Sequence, residues 1–160
     1  QYRIKDNFLA FWFRFVYPMR SFIESDHPEI AMTKLKTGFI PNHVGYVYED
    51  ICRQKMWELN AQGKLPFLFD RVGRWWGGKD TEIDIVAIDT TDRSKIIFGE
   101  CKFHQNVPMQ LSELHQLKEK AAVVPWGNAN RDEYFALFCI SGYSEDLQQL
   151  AQEDSHLLLM

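Results

Sequence analysis

TEIDIVAID (81–89) and IIFGECKF (96–103) decide how this chain folds. Both runs are short, rich in β-branched residues and bounded by polar turns, which is the pattern of strands. Their apolar residues stand at alternate and adjacent positions, as in strands covered on two faces. Three charges interrupt them: Asp84, Glu100 and Lys102. A charge buried without a partner is very costly, so the three need one shared explanation. A metal-dependent active site is such an explanation.

Strand geometry brings the charges together. Glu100 and Lys102 are two residues apart and project from one face, with Cys101 on the other. If 82–89 and 95–102 pair as an antiparallel hairpin centred on Asp92, Asp84 falls opposite Glu100, with Cβ atoms about 5 Å apart. Two like charges so placed destabilise a sheet unless a cation or proton lies between them. Lys102 can neutralise one. A hard divalent cation satisfies both, because Mg²⁺ takes carboxylate oxygens together with water and substrate phosphate. The backbone carbonyl of Cys101 offers a further ligand. A cation held by Asp84 and Glu100 would polarise a phosphoryl oxygen and lower the pKa of a bound water. Lys102 would orient or deprotonate that water, or stabilise transition-state charge. GYVYED (45–50) offers Glu49, with nothing in the residues themselves to prefer it over Asp50, as a further acid for a metal or for orienting water; a glutamate on a helix is usually solvated. The plain alternative is a structural Asp84–Lys102 ion pair, with Glu100 capping an edge.

Around the hairpin the chain alternates helical and strand patterns. Asp6 suits the N-cap, and Pro18 the stop, of a helix over 7–17 that is apolar on nearly all sides. Such a helix is either buried or packed against something absent. Residues 18–41 read as a connector with short helical pieces. A helix is expected over 42–61, with Asn42 before it and Gly63 as its stop. PFLFDRVGRWW (66–76) reads as a strand, and GGKD (77–80) as a turn. Pro108 suits the first turn of a helix over 108–122, with Leu111, Leu114, Leu117 and Ala121 near one face. YFALFCI (134–140) is a buried strand, Ser144 a helix cap, and HLLLM (156–160) a final strand. The order suggests an α/β architecture, a mixed sheet with helices on both faces. Residues 1–41 form an N-terminal helical segment, and 42–160 the domain proper. The chain begins at Gln1 and reads as a segment of a longer polypeptide.

Composition narrows the function classes. The net charge of −4 argues against an indiscriminate basic nucleic-acid binder. It leaves room for a local basic groove. Three widely spaced cysteines without a CxxC pair argue against a zinc ribbon and suit a reducing, cytoplasmic setting. The longest apolar-aromatic run, FLAFWFRFVY (8–17), holds Arg14 and is too short for a membrane span.

Further candidates surround the hairpin. Arg71, Arg74, Trp75, Trp76 and Lys79 cluster at one turn, where arginines meet phosphates and tryptophans stack on bases. The plain alternative is that both tryptophans are core or interface residues. Lys118 and Lys120 either line the same groove or form a solvated helix face. Gln110 and His115 are weaker supporting candidates. GRWWGGKD (73–80) lacks the phosphate-loop pattern, so ATP binding within these residues is not expected.

Asp84 followed by Glu100-Cys101-Lys102 resembles the signature of the PD-(D/E)XK nuclease superfamily, with Ile83 where the name implies Pro. Glu49, four residues after Gly45, matches that superfamily's first-helix acid. YRIKDNFLAFWFRFVYP (2–18), GxxxE, EIDIVA, FGECK and FCISGYSEDL (138–147), in this order, resemble the C-terminal domain of archaeal-type P-loop ATPases. The resemblance implies a restriction-endonuclease-like, three-layer α/β/α core. It also implies Mg²⁺- or Mn²⁺-dependent hydrolysis of phosphodiester bonds, usually in DNA. Catalytic roles would fall to Glu49, Asp84, Glu100 and Lys102. Metal ligation would fall to Asp84, Glu100 and the Cys101 carbonyl, with Glu49 as a further ligand. The implied partners are DNA and the upstream ATPase and winged-helix modules of the same polypeptide, where ATP would bind. A homo-oligomer stays open, and no membrane partner is expected. The alternative is a non-catalytic DNA- or protein-binding module of that ATPase which keeps the nuclease fold.

Overall fold

A computed structural model describes residues 4–39, 43–78, 81–127 and 130–160. Asn42 and Lys79 lie outside the described residues. The chain divides into two units, residues 1–48 and 49–160.

The first unit is helical. Asp6 caps α1 (Asn7–Phe11), its carboxylate accepting the Leu9 N–H at 2.8 Å. The helix does not stop at Pro18 as the sequence suggested. It passes through a wide turn (Trp12–Val16) and a tight turn (Tyr17–Met19) into α2 (Arg20–Glu24). Pro18 sits in the first positions of the tight turn, where its missing N–H removes no hydrogen bond. α3 (Pro28–Phe39) follows. Burial of the aromatic helix is not what the structure shows: α1 and the wide turn contain no buried residue, and Phe8 is 67% exposed. Phe11, Phe15, Phe39 and His43 instead form a ring cluster with centroids 5.6–6.1 Å apart.

α4 (Gly45–Ala61) runs into the second unit, whose centre is a five-stranded mixed sheet in the order β1-β2-β3-β4-β5. β1 (Arg71–Gly77), β2 (Thr81–Ile88) and β3 (Lys95–Lys102) are antiparallel neighbours. β4 (Asp132–Cys139) joins β3 in parallel, after α5 (Leu111–Ala122). β5 (Leu157–Leu159) joins β4 in parallel after α6 (Glu145–Glu153). Parallel neighbours need such long crossovers, and the helices supply them. β3 is therefore central, and Ile96 to Cys101 are buried on both faces.

The helix over 108–122 begins later than expected. Met109 N–H donates to the Gly142 carbonyl, and Gln110 then caps α5 with Glu113 in a reciprocal capping box. Leu114, Leu117 and Ala121 form its buried face. Arg131 anchors the far end by donating to the Ala121 carbonyl at 3.0 Å. The strand expected over 66–76 is shorter too. Asn60 of α4 binds both the N–H and the carbonyl of Phe69, at 3.0 and 2.9 Å, so sheet pairing starts only beyond it. Ser144 stands at the head of α6, but its hydroxyl makes no capping bond.

The β2–β3 register runs from Ile88↔Ile96 to Ile85↔Gly99, the register the sequence predicts. Close packing depends on Gly99. A Cβ there would lie 2.9 Å from the Ile85 Cβ and 3.2 Å from the Ala136 carbonyl oxygen. Gly73, in open space, meets nothing within 4 Å. Urea denaturation is therefore expected to show Gly99→Ala destabilised by about 1–3 kcal/mol, with Gly73→Ala within about 0.5 kcal/mol of wild type.

Candidate functional site

Glu100 projects from the middle of the most buried strand and is 6% exposed. Lys102, two residues along the same strand face, donates to its Oε1 at 2.7 Å. Lys120, in the last turn of α5, donates to its Oε2 at 3.0 Å. One buried carboxylate is thus held by two ammoniums from two elements, which satisfies the rule that buried charges are paired.

Asp84 completes the cluster. The β2–β3 ladder ends at Ile85↔Gly99, and one residue further the Asp84 carboxylate takes the place of a backbone acceptor. Its Oδ2 accepts the Cys101 N–H at 2.9 Å. Burial, and then the nearby Glu100 charge, push the Asp84 carboxyl from 3.8 up to about 6. The Cys101 N–H, Lys102 and Lys120 oppose that shift without cancelling it. Burial by itself would lower the pKa of Lys102; Glu100, with Asp84 and Glu113, outweighs it, so the value is raised.

Glu49 sits in a second, arginine-rich cluster. A register shift between Gly73 and Trp75 gives β2 an extra residue, Asp84 and Ile85 together facing the single β1 residue Arg74. Its guanidinium binds Glu49 and, at 3.0 Å, Glu82. Arg53, one turn beyond Glu49 on α4, binds Asp50 and lies 3.8 Å from Glu49. Arg53 also donates to the Asp84 backbone carbonyl at 3.1 Å, which joins the two clusters. Among the described residues, no three His, Cys, Asp or Glu side chains gather in a group fit for a metal ion.

The other candidates disperse. Arg71 is exposed at the start of β1, and Trp76 is 55% exposed with Arg74 over its ring. Trp75 packs against the core. Lys118 lies over the Phe135 ring at 5.2 Å rather than on Glu100. Gln110 is spent on capping α5, and His115 is exposed. Cys101 pairs with Phe138 in the β3–β4 ladder, and its thiol meets that of Cys52 on α4. Sequence reasoning gave Lys120 no bond to Glu100 and overlooked Arg53. Lys120 stands three residues after Leu117 and just before Ala121, at the edge of the buried face of α5, and that spacing was its signal.

Two neighbouring carboxylates, with the Asp84 carboxyl raised by burial and then by Glu100, fit a hard divalent cation, which favours oxygen ligands and keeps several waters. Both oxygens of Glu100 already carry ammoniums, so entry of a cation would displace one of them.

Residues 12–121 match the DUF234 family, described as archaeal and bacterial proteins of unknown function. That span contains Glu49, Asp84, Glu100, Lys102 and Lys120. An uncharacterized protein of Methanocaldococcus jannaschii is 33% identical over 138 residues, covering 86% of this chain and 30% of the relative. The chain therefore spans less than a third of that relative's length. No solved structure matches the chain.

The raised Asp84 carboxyl sets a pH dependence. The folded protein holds this proton more tightly than the unfolded chain, so stability falls as pH rises from about 4 through 6. Asp84→Asn keeps an acceptor for Cys101 and removes the charge. Urea midpoints of the two proteins should lie close together near pH 4. At pH 7 the variant should be the more stable by about 2–3 kcal/mol.

Proposed function

The chain belongs to the DUF234 family, and for its charged cluster we propose metal-dependent hydrolysis of phosphodiester bonds in DNA. The observation that carries this reading is geometric: the Asp84 carboxylate sits on the N–H of Cys101, the neighbour of the buried Glu100, and the Lys102 ammonium on the Glu100 strand face is bonded to Glu100. Asp84 and Glu100 would hold Mg²⁺ or Mn²⁺. When bound, such an ion polarises a phosphoryl oxygen and acidifies water. Lys102 serves to orient the attacking water and to stabilise developing negative charge. Glu49 acts at a distance, by fixing Arg74 of β1 opposite the bulge in β2. Arg71 and Trp76, exposed on that edge strand, are available to phosphate and base.

A restriction-endonuclease-like, three-layer core agrees with two features. α5 packs on β2, β3 and β4, and the Cys52 thiol of α4 meets Cys101, which points away from Glu100. The length of the Methanocaldococcus jannaschii relative leaves room for upstream ATPase and winged-helix modules, where ATP would bind. Three free, buried cysteines suit a cytoplasmic setting. Among the described residues, no helix is long and apolar enough to cross a membrane.

One observation favours a second reading, a non-catalytic DNA- or protein-binding module of that ATPase. Lys102 and Lys120 balance Asp84 and Glu100 without any added cation. Plasmid nicking in Mn²⁺ by the full-length protein with ATP separates the two. The nuclease reading expects cleavage that falls about 100-fold or more in Asp84→Asn and in Lys102→Met, and that Lys118→Met leaves unchanged. No cleavage by the full-length protein would favour the binding module.

A further inference from the structure

We propose that Lys120 is a built-in competitor for the cation, occupying Glu100 and leaving it when a divalent ion binds. The inference rests on the metal reading above. Glu100 has only two carboxylate oxygens, and Lys102 and Lys120 take one each. With Asp84 ionised, the cluster holds two negative and two positive charges, and all four groups are at least partly buried. A divalent cation added to that set would face two ammoniums within a few ångströms. Repulsion at that range, away from bulk water, is strong, so one ammonium has to withdraw.

Lys120 is the one placed to withdraw. Lys102 is held on the strand by Glu100, and also by the charges of Asp84 and Glu113. The two lysine side chains are equally exposed, at 30%, so exposure does not separate them; Lys120 differs by lying in the last turn of α5. Swung outward, its ammonium reaches water and stays near the helix C-terminus, where positive charge is favoured. α5 itself is fixed by its buried Leu114, Leu117 and Ala121 and by Arg131 at its end, so the side chain can move without the helix. The resting protein then binds a cation only in the fraction of molecules whose Glu100 is free, and its apparent affinity is lowered by that fraction.

Mn²⁺ binding to the chain, read from the free-ion paramagnetic resonance signal, tests this without reference to cleavage. Lys120→Met is expected to bind Mn²⁺ about tenfold or more tightly than wild type. Lys120→Gln should do the same, and stands in should the first variant fail to fold. Lys120→Arg keeps the bond to Glu100 and should match wild type. Lys118→Met removes a charge from the same helix away from Glu100 and should also match. If Asp84→Asn abolishes binding while the Lys120 variants bind no better than wild type, the competitor is disproved and the metal reading stands. If Lys118→Met tightens binding as much as Lys120→Met, the effect is general electrostatics and the proposal fails. If Asp84→Asn leaves binding unchanged, or if neither wild type nor the Lys120 variants bind Mn²⁺, the metal reading itself fails and takes this inference with it.

Discussion

A carboxylate at the centre of a sheet is held in place by two ammoniums, and the layout of the second unit serves that contact. Glu100 lies on β3, buried on both faces. An unpaired charge there would cost several kcal/mol. Lys102 is close because strand side chains repeat every two residues. Lys120 is close because α5 crosses over β3 on its way to the parallel strand β4. The crossover that makes a parallel neighbour possible also delivers the second cation. Removing either lysine would leave Glu100 with a single partner.

Asp84 is placed by the same economy of backbone. The antiparallel ladder stops at Ile85↔Gly99, and the Asp84 side chain then accepts the Cys101 N–H that would otherwise need a new partner. This fixes the carboxylate beside Glu100, at a cost visible in its raised pKa. On the edge strand, Arg74, opposite the bulge in β2, sends its guanidinium to Glu49 and Glu82. Arg53 ties that cluster to the Asp84 carbonyl. The acids therefore lie in two groups, and Arg53 and Arg74 link Glu49 to the hairpin.

Much of this was legible in the sequence, and the limits have physical causes. The hairpin register could be read because a two-residue period with both faces buried tolerates no slip of one position. Leu114, Leu117 and Ala121 marked the buried face of α5 by helical spacing. Pro18 misled because a proline that begins a new turn looks the same in sequence as one that ends a helix. The late start of β1 depends on Asn60, nine residues before Phe69, whose side-chain bonds have no periodic signature. Lys120 was grouped with Lys118, although one binds Glu100 and the other lies over Phe135. Which of two nearby lysines turns inward depends on the angle at which α5 crosses the sheet, and no local pattern encodes that angle.

The central claim is that Asp84 and Glu100 form one electrostatic unit that a divalent cation can complete. The most direct measurement is a carbon-13 carboxyl titration of Asp84 by nuclear magnetic resonance, with and without Mg²⁺. The account predicts an apparent pKa of about 6 without the ion. With the ion present the value should move down towards the ordinary carboxylate range, because a bound cation favours the charged form. Titration near the ordinary aspartate value, or a raised value that Mg²⁺ leaves unmoved, would contradict it.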